Sequence, residues 1–171
     1  MVNLEIIILS VLGGGPAHGY MLKQTIEATY GKRYVKMSNS SLYPRLARME
    51  AGGYIDGELR PQEKVPDRKI YRITPAGLQH LKEMLAAPLG LREDLFDYKV
   101  RAVMFGLLSR EERRKVTEPL YEEKRKELEE AEAKRTKFGQ YMDRYGLTVL
   151  DHGIEELEVQ LKLFELMMEM E

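Results

Sequence analysis

The fold of this chain is decided by the stretch Met37-Ser38-Asn39-Ser40-Ser41-Leu42-Tyr43-Pro44-Arg45-Leu46-Ala47-Arg48-Met49. It opens with short polar residues of the kind that cap helices, and the apolar residues that follow are spaced for one face of a helix. Proline is tolerated in the first turn of a helix and costs about 3 kcal/mol deeper inside. We therefore expect this helix to begin near Ser40 or Ser41, or to bend at Pro44.

Two further helices are predicted before this stretch. Apolar residues in Leu4–Leu12 follow helical offsets, and Gly13–Gly15 then turns the chain. The same run could be a buried strand feeding a phosphate-binding loop, but the glycines, Gly19 included, miss the dinucleotide spacing, and no Gly-Lys-Ser/Thr follows. A looser helical stripe covers His18–Tyr30 and ends at Gly31.

A hairpin and a fourth helix are predicted after the third helix. The segments Tyr54–Arg60 and Lys69–Ile73 look like strands, and a polar loop with two prolines separates them. Thr74-Pro75 pairs a capping residue with proline at the first helical position, so a helix should run from there towards Ala87. Three helices, a hairpin and a helix are the plan of a winged helix-turn-helix, which we assign to residues 1–87.

Residues 93–171 are predicted to be entirely helical, with the joint at Pro88-Leu89-Gly90. One helix is expected across residues 95–108. Ser109 and Glu112 form a capping-box signature for a highly charged helix, which Pro119 should break or kink. The final segment has an a/d seam, which could pack within the chain, although a polar neighbouring helix offers little to cover it. We therefore predict dimerisation with a partner subunit through Leu150, Ile154, Leu157, Leu161, Phe164 and Met168.

The beginning of the third helix and the hairpin favour contact with a polyanion. A helix N-terminus presents unpaired N–H groups and a positive dipole end to a phosphate, and arginine can contact phosphate or the guanine edge. Cationic side chains on the hairpin suit phosphate or the minor groove. Taken singly, these could be ordinary solvated side chains. The predicted DNA-binding residues are Ser38, Asn39, Ser40, Ser41, Tyr43, Arg45, Arg48, Lys64, Arg68 and Lys69.

Charge and composition narrow the function further. Residues 31–82 hold 11 basic and 5 acidic side chains, a balance of +6, which suits a polyanionic partner. The 171 residues include no cysteine, which excludes a disulfide scaffold, a thiolate zinc site and a cysteine nucleophile. No apolar run approaches the roughly 20 residues that cross a bilayer. We expect a soluble cytoplasmic protein without membrane contact.

Enzyme and metal chemistry find little support in the sequence. The histidines His18, His80 and His152 show no metal-ligand spacing. Asp151 and His152 are adjacent, but no nucleophile can be assigned to them. The sequence therefore predicts neither a catalytic site nor a cofactor nor a metal.

Several motifs in order resemble the PadR-type transcriptional regulators, in the larger subgroup with a long helical C-terminal domain. They are Pro16-Ala17-His18-Gly19-Tyr20, Ser41-Leu42-Tyr43-Pro44-Arg45-Leu46, Gly53-Tyr54-Ile55 and Arg68-Lys69-Ile70-Tyr71-Arg72-Ile73-Thr74-Pro75-Ala76-Gly77. The sequence departs from the family pattern at Ser38-Asn39-Ser40, where many relatives have a Pro-Gly pair before the Leu-Tyr-Pro motif. The resemblance implies a dimeric regulator, usually a repressor, that often responds to a small effector. Without tryptophan, the aromatic candidates for effector contact are Phe96 and Tyr98.

The sequence thus predicts a mainly α protein with a winged helix-turn-helix DNA-binding domain and a helical C-terminal dimerisation domain. As a homodimeric repressor it would place two recognition helices in successive major grooves of a pseudo-palindromic operator, about 34 Å apart. The alternative is a winged-helix protein-interaction module that does not bind DNA. Salt-sensitive DNA binding would discriminate between the two.

Overall fold

The computed structural model describes residues 3–31, 35, 37–61, 68–89 and 95–170. It divides the chain into two compact units, Met1–Leu107 and Leu108–Glu171. In chain order the elements are α1 (Leu4–Gly13), β1 (Ala17–His18), α2 (Gly19–Tyr30), α3 (Asn39–Ala51), β2 (Ile55–Arg60), β3 (Arg68–Ile73), α4 (Pro75–Ala86), α5 (Leu95–Ala102), a 3-10 turn (Phe105–Leu107), α6 (Arg110–Phe138), a second 3-10 turn (Gly139–Tyr141) and α7 (Arg144–Glu169).

The core of the first unit forms around α1. Residues Ile6–Leu9 are all buried, and α1 packs against α2, α4 and β3. A helix that is apolar on every side has to be covered in this way. Leu42, Leu46 and Met49 of α3 are buried as their spacing predicted. The helical interpretation of the first segment is therefore confirmed over that of a strand.

The hairpin is the larger part of a three-stranded antiparallel sheet with the order β1-β3-β2. Its register runs from Ile55 opposite Ile73 to Arg60 opposite Arg68. The two-residue strand β1 adds to the other edge of β3 and was not predicted, because so short a strand shows no alternation. The mainly α winged-helix fold with a helical C-terminal region is thus confirmed.

Two predicted helix boundaries are corrected. α3 begins at Asn39, one or two residues earlier than expected, because Ser38 caps it, and the helix continues through Pro44. The predicted helix over 95–108 is wrong in its length. α5 ends at Ala102, and a separate 3-10 turn follows at Phe105–Leu107.

The second unit is an antiparallel pair of long helices. Arg135 Nε donates to Asp151 Oδ1 at 2.7 Å, and the hydroxyl of Tyr121 donates to Glu165 Oε1 at 3.0 Å. The residue numbers decrease along α6 as they increase along α7, as antiparallel helices require. The Ser109–Glu112 capping box is confirmed. Of the predicted break or kink at Pro119, the break is wrong, since α6 is helical across it, and the kink stays a prediction.

The compact units do not divide at the predicted joint. α5 belongs to the first unit, where Arg101 Nη1 donates to the carbonyl oxygens of Met84 at 3.2 Å and Ala87 at 2.8 Å. These bonds hold α5 against the end of α4. The functional division into residues 1–87 and 93–171 stays a prediction.

Candidate nucleic-acid interface

The beginning of α3 is an exposed helix end with a reciprocal capping box. The backbone N–H of Ser41 donates to Ser38 Oγ at 3.1 Å, and the N–H of Ser38 donates to Ser41 Oγ at 3.1 Å. A further hydrogen bond of 2.8 Å joins the hydroxyls of Ser38 and Ser40. Ser38, Asn39 and Ser40 are exposed and Ser41 is half-buried. The serines thus fix the helix end whose N–H groups and dipole favour an anion.

Tyr43, Arg45 and Arg48 extend this surface along α3. Arg45 Nη1 donates to the carbonyl oxygen of Ser41 at 2.8 Å, which braces the first turn and leaves other donors of the guanidinium for a ligand. Arg48 is exposed one turn further on. Tyr43 is 46% exposed, and its ring lies so close to Gly19 that a Cβ there would be 2.8 Å from the hydroxyl. Tyr43 therefore joins α3 to the beginning of α2.

The outer end of the hairpin is cationic. Arg60 and Arg68 are directly opposite each other, and both are exposed. Like charges in this position destabilise a hairpin unless an anion offsets them. Arg60 is a residue that the sequence analysis missed, although the equal arms of the hairpin could have indicated the pairing. The predicted Lys64 lies outside the described residues.

Glu58 moderates this cationic surface. Arg72 Nη1 donates to its carboxylate at 2.7 Å, and Arg60 Nη2 lies 3.9 Å from the same oxygen. The hydrogen bond from Arg72, followed by the positive charges of Arg60 and Arg72, lowers the pKa of Glu58. Arg72 is thereby paired within the hairpin, although its side chain is exposed, as is that of Arg68.

Lys69 makes an ion pair within the first unit. Its ammonium Nζ lies 2.7 Å from Glu50 Oε2, and it also lies 5.7 Å from the centre of the Tyr71 ring. The hydrogen bond to Glu50 raises the pKa of Lys69. A contact of Lys69 with DNA stays a prediction, and the structure gives the residue a second task, which is to hold the hairpin against α3.

The two predicted effector residues, Phe96 and Tyr98, differ in how deeply they are buried. Tyr98 is 1% exposed, and its ring packs edge-on against Phe105 at a centroid distance of 5.7 Å. Phe96 is half-buried. Tyr98 is thus a core residue of the first unit, and an effector role for the two residues stays a prediction.

The predicted dimerisation seam on α7 is only partly accessible. Leu161, Phe164 and Met168 are buried within the single chain, so the expectation that they need a partner subunit to cover them is wrong. Leu150, Ile154 and Leu157 are half-buried. Leu150 and Leu157 line an open, largely apolar groove of about 530 Å³ with Met142, Val149 and Gly153. A role of the seam in dimerisation stays a prediction.

No group of three or more histidine and carboxylate residues within the described ranges could hold a metal ion. No helix in the described part of the chain is both long and apolar enough to span a membrane.

Comparison with known proteins connects this arrangement to a family. The family model of the PadR-like transcriptional regulators matches residues 8–83. An uncharacterized 37.1 kDa protein in transposon TN4556 of Streptomyces fradiae is 35% identical over 80 residues, which are 47% of this chain. The chain spans only 21% of the length of that curated relative.

Solved structures extend the comparison. A PadR-like transcriptional regulator from Bacillus cereus is 36% identical, with 47% of this chain and 75% of that chain covered and a TM-score of 0.40. Bacillus subtilis PadR in complex with operator DNA is 21% identical, with 98% and 97% covered and a TM-score of 0.48. The family model thus places residues 8–83 of this chain, within the first unit, in the PadR-like family of transcriptional regulators.

Proposed function

We propose that the protein is a sequence-specific DNA-binding transcriptional regulator, a repressor, that acts as a homodimer. The observation that carries the proposal is the exposed, serine-capped N-terminus of α3, with Arg45 and Arg48 on the same helix and Arg60 and Arg68 on the hairpin of the same unit. α3 would enter the major groove, and the hairpin would follow the phosphates beside it.

The roles of the individual groups follow from their chemistry. The capped turn of α3 suits a phosphate because its N–H groups supply donors and the dipole supplies positive charge. Arg48 is the better candidate for a base contact, since Arg45 already gives one donor to Ser41. Arg60 and Arg68 would neutralise phosphates, which relieves the repulsion between them.

A dimer would give the operator its symmetry. Two copies of α3 about 34 Å apart would contact half-sites separated by one helical turn of DNA. Response to a small effector, with Phe96 and Tyr98 as the candidate contacts, remains part of the proposal and rests on the family resemblance alone.

Fluorescence anisotropy with DNA from upstream of the protein's own gene tests the proposal. We expect tight binding that weakens steeply with salt. Arg48→Ala should cost about 1–3 kcal/mol of DNA-binding free energy and relax the sequence preference at one base position. Arg68→Ala should weaken binding to all DNA sequences alike and reduce the log–log salt slope by about 1. Arg125→Ala is the matched control, because Arg125 is exposed on α6 of the second unit and pairs with Glu122, three residues earlier, at 2.8 Å.

The alternative of a protein-interaction module makes the opposite forecast. Absence of salt-sensitive binding to that DNA, or binding by Arg48→Ala and Arg68→Ala equal to that of the parent protein, would overturn the proposal.

A further inference from the structure

Three uncharged side chains with hydrogen-bonding groups lie together where α2 begins. His18 caps α2 and Tyr20 is in its first turn, and their rings are stacked at a centroid distance of 6.3 Å. Tyr43 of α3 reaches the same place, since a Cβ at Gly19 would be 2.8 Å from its hydroxyl oxygen. Tyr20 is 63% exposed and Tyr43 is 46% exposed. The beginning of α2 therefore continues the α3 surface that we propose contacts DNA.

The hydrogen bond that caps α2 makes His18 a donor. The backbone N–H of Met21 donates to His18 Nδ1 at 3.2 Å. A neutral imidazole has one donor and one acceptor nitrogen, so the proton of this ring is on Nε2. Strand β1 fixes the place of the residue by pairing His18 with Ile70 of β3. No hydrogen bond among the described residues uses Nε2, which leaves this donor for a ligand.

The hydroxyl of Tyr20 is a donor for a similar reason. Gln24 Nε2, one turn further along α2, donates to the hydroxyl oxygen of Tyr20 at 2.9 Å. Since the oxygen accepts this bond, the hydroxyl proton is left to donate elsewhere. The hydroxyl of Tyr43 makes no hydrogen bond within the described part of the chain. In His18 and Tyr20 the acceptor is thus already used, and the donor is what remains.

A cluster of donors suits the phosphate backbone better than a base edge. Phosphate oxygens only accept, whereas the base edges of the major groove present both donors and acceptors. Tyrosine hydroxyls are among the groups that bind phosphate, and such contacts fix the register of a protein on the duplex. We propose that His18 and Tyr20, together with Tyr43, bind backbone phosphates of DNA as uncharged donors. This inference rests on the proposed function and adds α2 to its contact surface.

Uncharged contacts differ from cationic ones in their response to salt. An arginine or lysine that neutralises a phosphate releases condensed counterions, and each such contact adds about 0.9 to the log–log salt slope. A hydroxyl or a neutral imidazole carries no charge and releases none. The contacts of α2 should therefore add affinity without adding to the salt slope, unlike the contact proposed for Arg68.

Anisotropy titrations of Tyr20→Phe at several salt concentrations test the tyrosine contact. The substitution removes the hydroxyl and keeps the stacked ring. We expect the dissociation constant to rise at least about tenfold, for the bound DNA site and its single-base variants alike, with an unchanged salt slope. Tyr141→Phe, at a position 78% exposed in the second unit, is the control and should bind like the parent. Parental affinity in Tyr20→Phe, or a smaller salt slope, overturns the proposal.

His18→Asn tests the histidine donor separately from the cap. Asparagine is a good N-cap residue, so the melting temperature should stay at that of the parent. Its side chain is too short to place a donor where Nε2 lies, and we expect the dissociation constant to rise about tenfold with the same salt slope. A stable His18→Asn that binds DNA like the parent would overturn the role of His18.

A double-mutant cycle tests Gly19 as a positioning residue for Tyr43. Gly19→Ala puts a methyl group where the Tyr43 ring lies, so the hydroxyl has to move, and DNA affinity should fall. In a Tyr43→Phe background the same substitution should cost little further affinity, because the hydroxyl that it displaces is gone. An equal loss in both backgrounds would show a merely structural effect and overturn this role.

Methylphosphonate linkages, introduced one at a time into the bound DNA, identify the partner. Each replaces a charged phosphodiester by a neutral group. At the phosphate that Tyr20 contacts, the replacement should weaken the parent protein more than it weakens Tyr20→Phe. If both proteins respond alike at every linkage of the site, Tyr20 does not bind the backbone.

The two proposals fail in distinguishable ways. A parent protein that binds no DNA overturns the proposed function, and the α2 contacts with it. A parent protein that binds DNA in a salt-sensitive manner, with parental affinity in Tyr20→Phe, overturns the α2 contacts alone.

Discussion

Lys69 of β3 and Glu50 in the last turn of α3 form an ion pair, with 2.7 Å between Nζ and Oε2. The pair connects the hairpin to the helix that we propose reads the DNA. It passes directly above Gly57 of β2, where a Cβ would lie 2.2 Å from Lys69 Cε and 2.6 Å from Glu50 Oε1. Glycine in the interior of a strand is usually unfavourable, but Gly57 leaves the room that the ion pair needs.

The charge of Glu50 should limit DNA affinity. Glu50→Gln leaves the Lys69 ammonium without its carboxylate, and the pKa of Lys69, which Glu50 raises, should fall towards its ordinary value of 10.5. Lys69 stays protonated at neutral pH and adds to the positive surface. We expect tighter DNA binding and a log–log salt slope steeper by up to about 0.9, the value for one more phosphate. Anisotropy titrations at several salt concentrations measure this.

Glu132→Gln is the matched control for that prediction, since it makes the same charge change on the exposed surface of α6. If Glu50→Gln and Glu132→Gln give the same slope as the parent, then Lys69 does not face the nucleic acid.

Two glycine substitutions should differ in their effect on stability. At Gly77 a Cβ would lie 1.9 Å from the backbone oxygen of Tyr54, which cannot move alone, so Gly77→Ala should lower the free energy of unfolding by about 1–3 kcal/mol or more. At Gly57 the clash is with flexible side-chain ends, so Gly57→Ala should change the free energy of unfolding by less than about 1 kcal/mol. Urea denaturation of both variants measures the difference. Equal losses would show that the Lys69–Glu50 pair is as rigid as the backbone.

Ser38 should separate stability from DNA binding. Ser38→Ala removes the side-chain acceptor that holds the N–H of Ser41, which should cost about 1 kcal/mol of unfolding free energy. Ser38→Asp keeps a good capping group and should retain that stability, but its charge would repel a phosphate at the helix end. We expect Ser38→Asp to melt like the parent and bind DNA more weakly. Undiminished DNA affinity in Ser38→Asp would place the phosphate elsewhere.

The hairpin should lose support in acid. Arg72 and Arg60 lower the pKa of Glu58 from its ordinary value of 4.5, so the folded state favours the ionised carboxylate. Its contribution to stability is complete above pH 4.5 and disappears as the pH falls through the lowered pKa. The difference in unfolding free energy between the parent and Glu58→Gln should therefore shrink below pH 4.5. A difference that stays constant down to pH 2 would contradict the assignment.

Much of the candidate site could be predicted because its elements are local. Capping by serine, the apolar spacing of α3 and the strand pattern on both sides of a proline-rich loop depend on residues a few positions apart. The exact beginning of α3 was missed. Pro44 favours a late start of the helix, whereas the reciprocal hydrogen bonds between Ser38 and Ser41 cap it one or two residues earlier than expected. Arg60 was missed because its importance depends on the residue opposite.

By itself, the sequence determined the order of helices and hairpin, the caps at Ser109 and Thr74, and the basic surface, because periodicity and capping act within one or two turns. Only the tertiary structure decided that Lys69 pairs with Glu50, 19 residues earlier in the chain. It also decided that the short segment β1, after α1, joins the sheet, and that the last part of the α7 seam is buried in its own chain. These outcomes depend on which surfaces meet in space. An apolar stripe in the sequence shows that a helix face must be buried, but it does not show which element buries it.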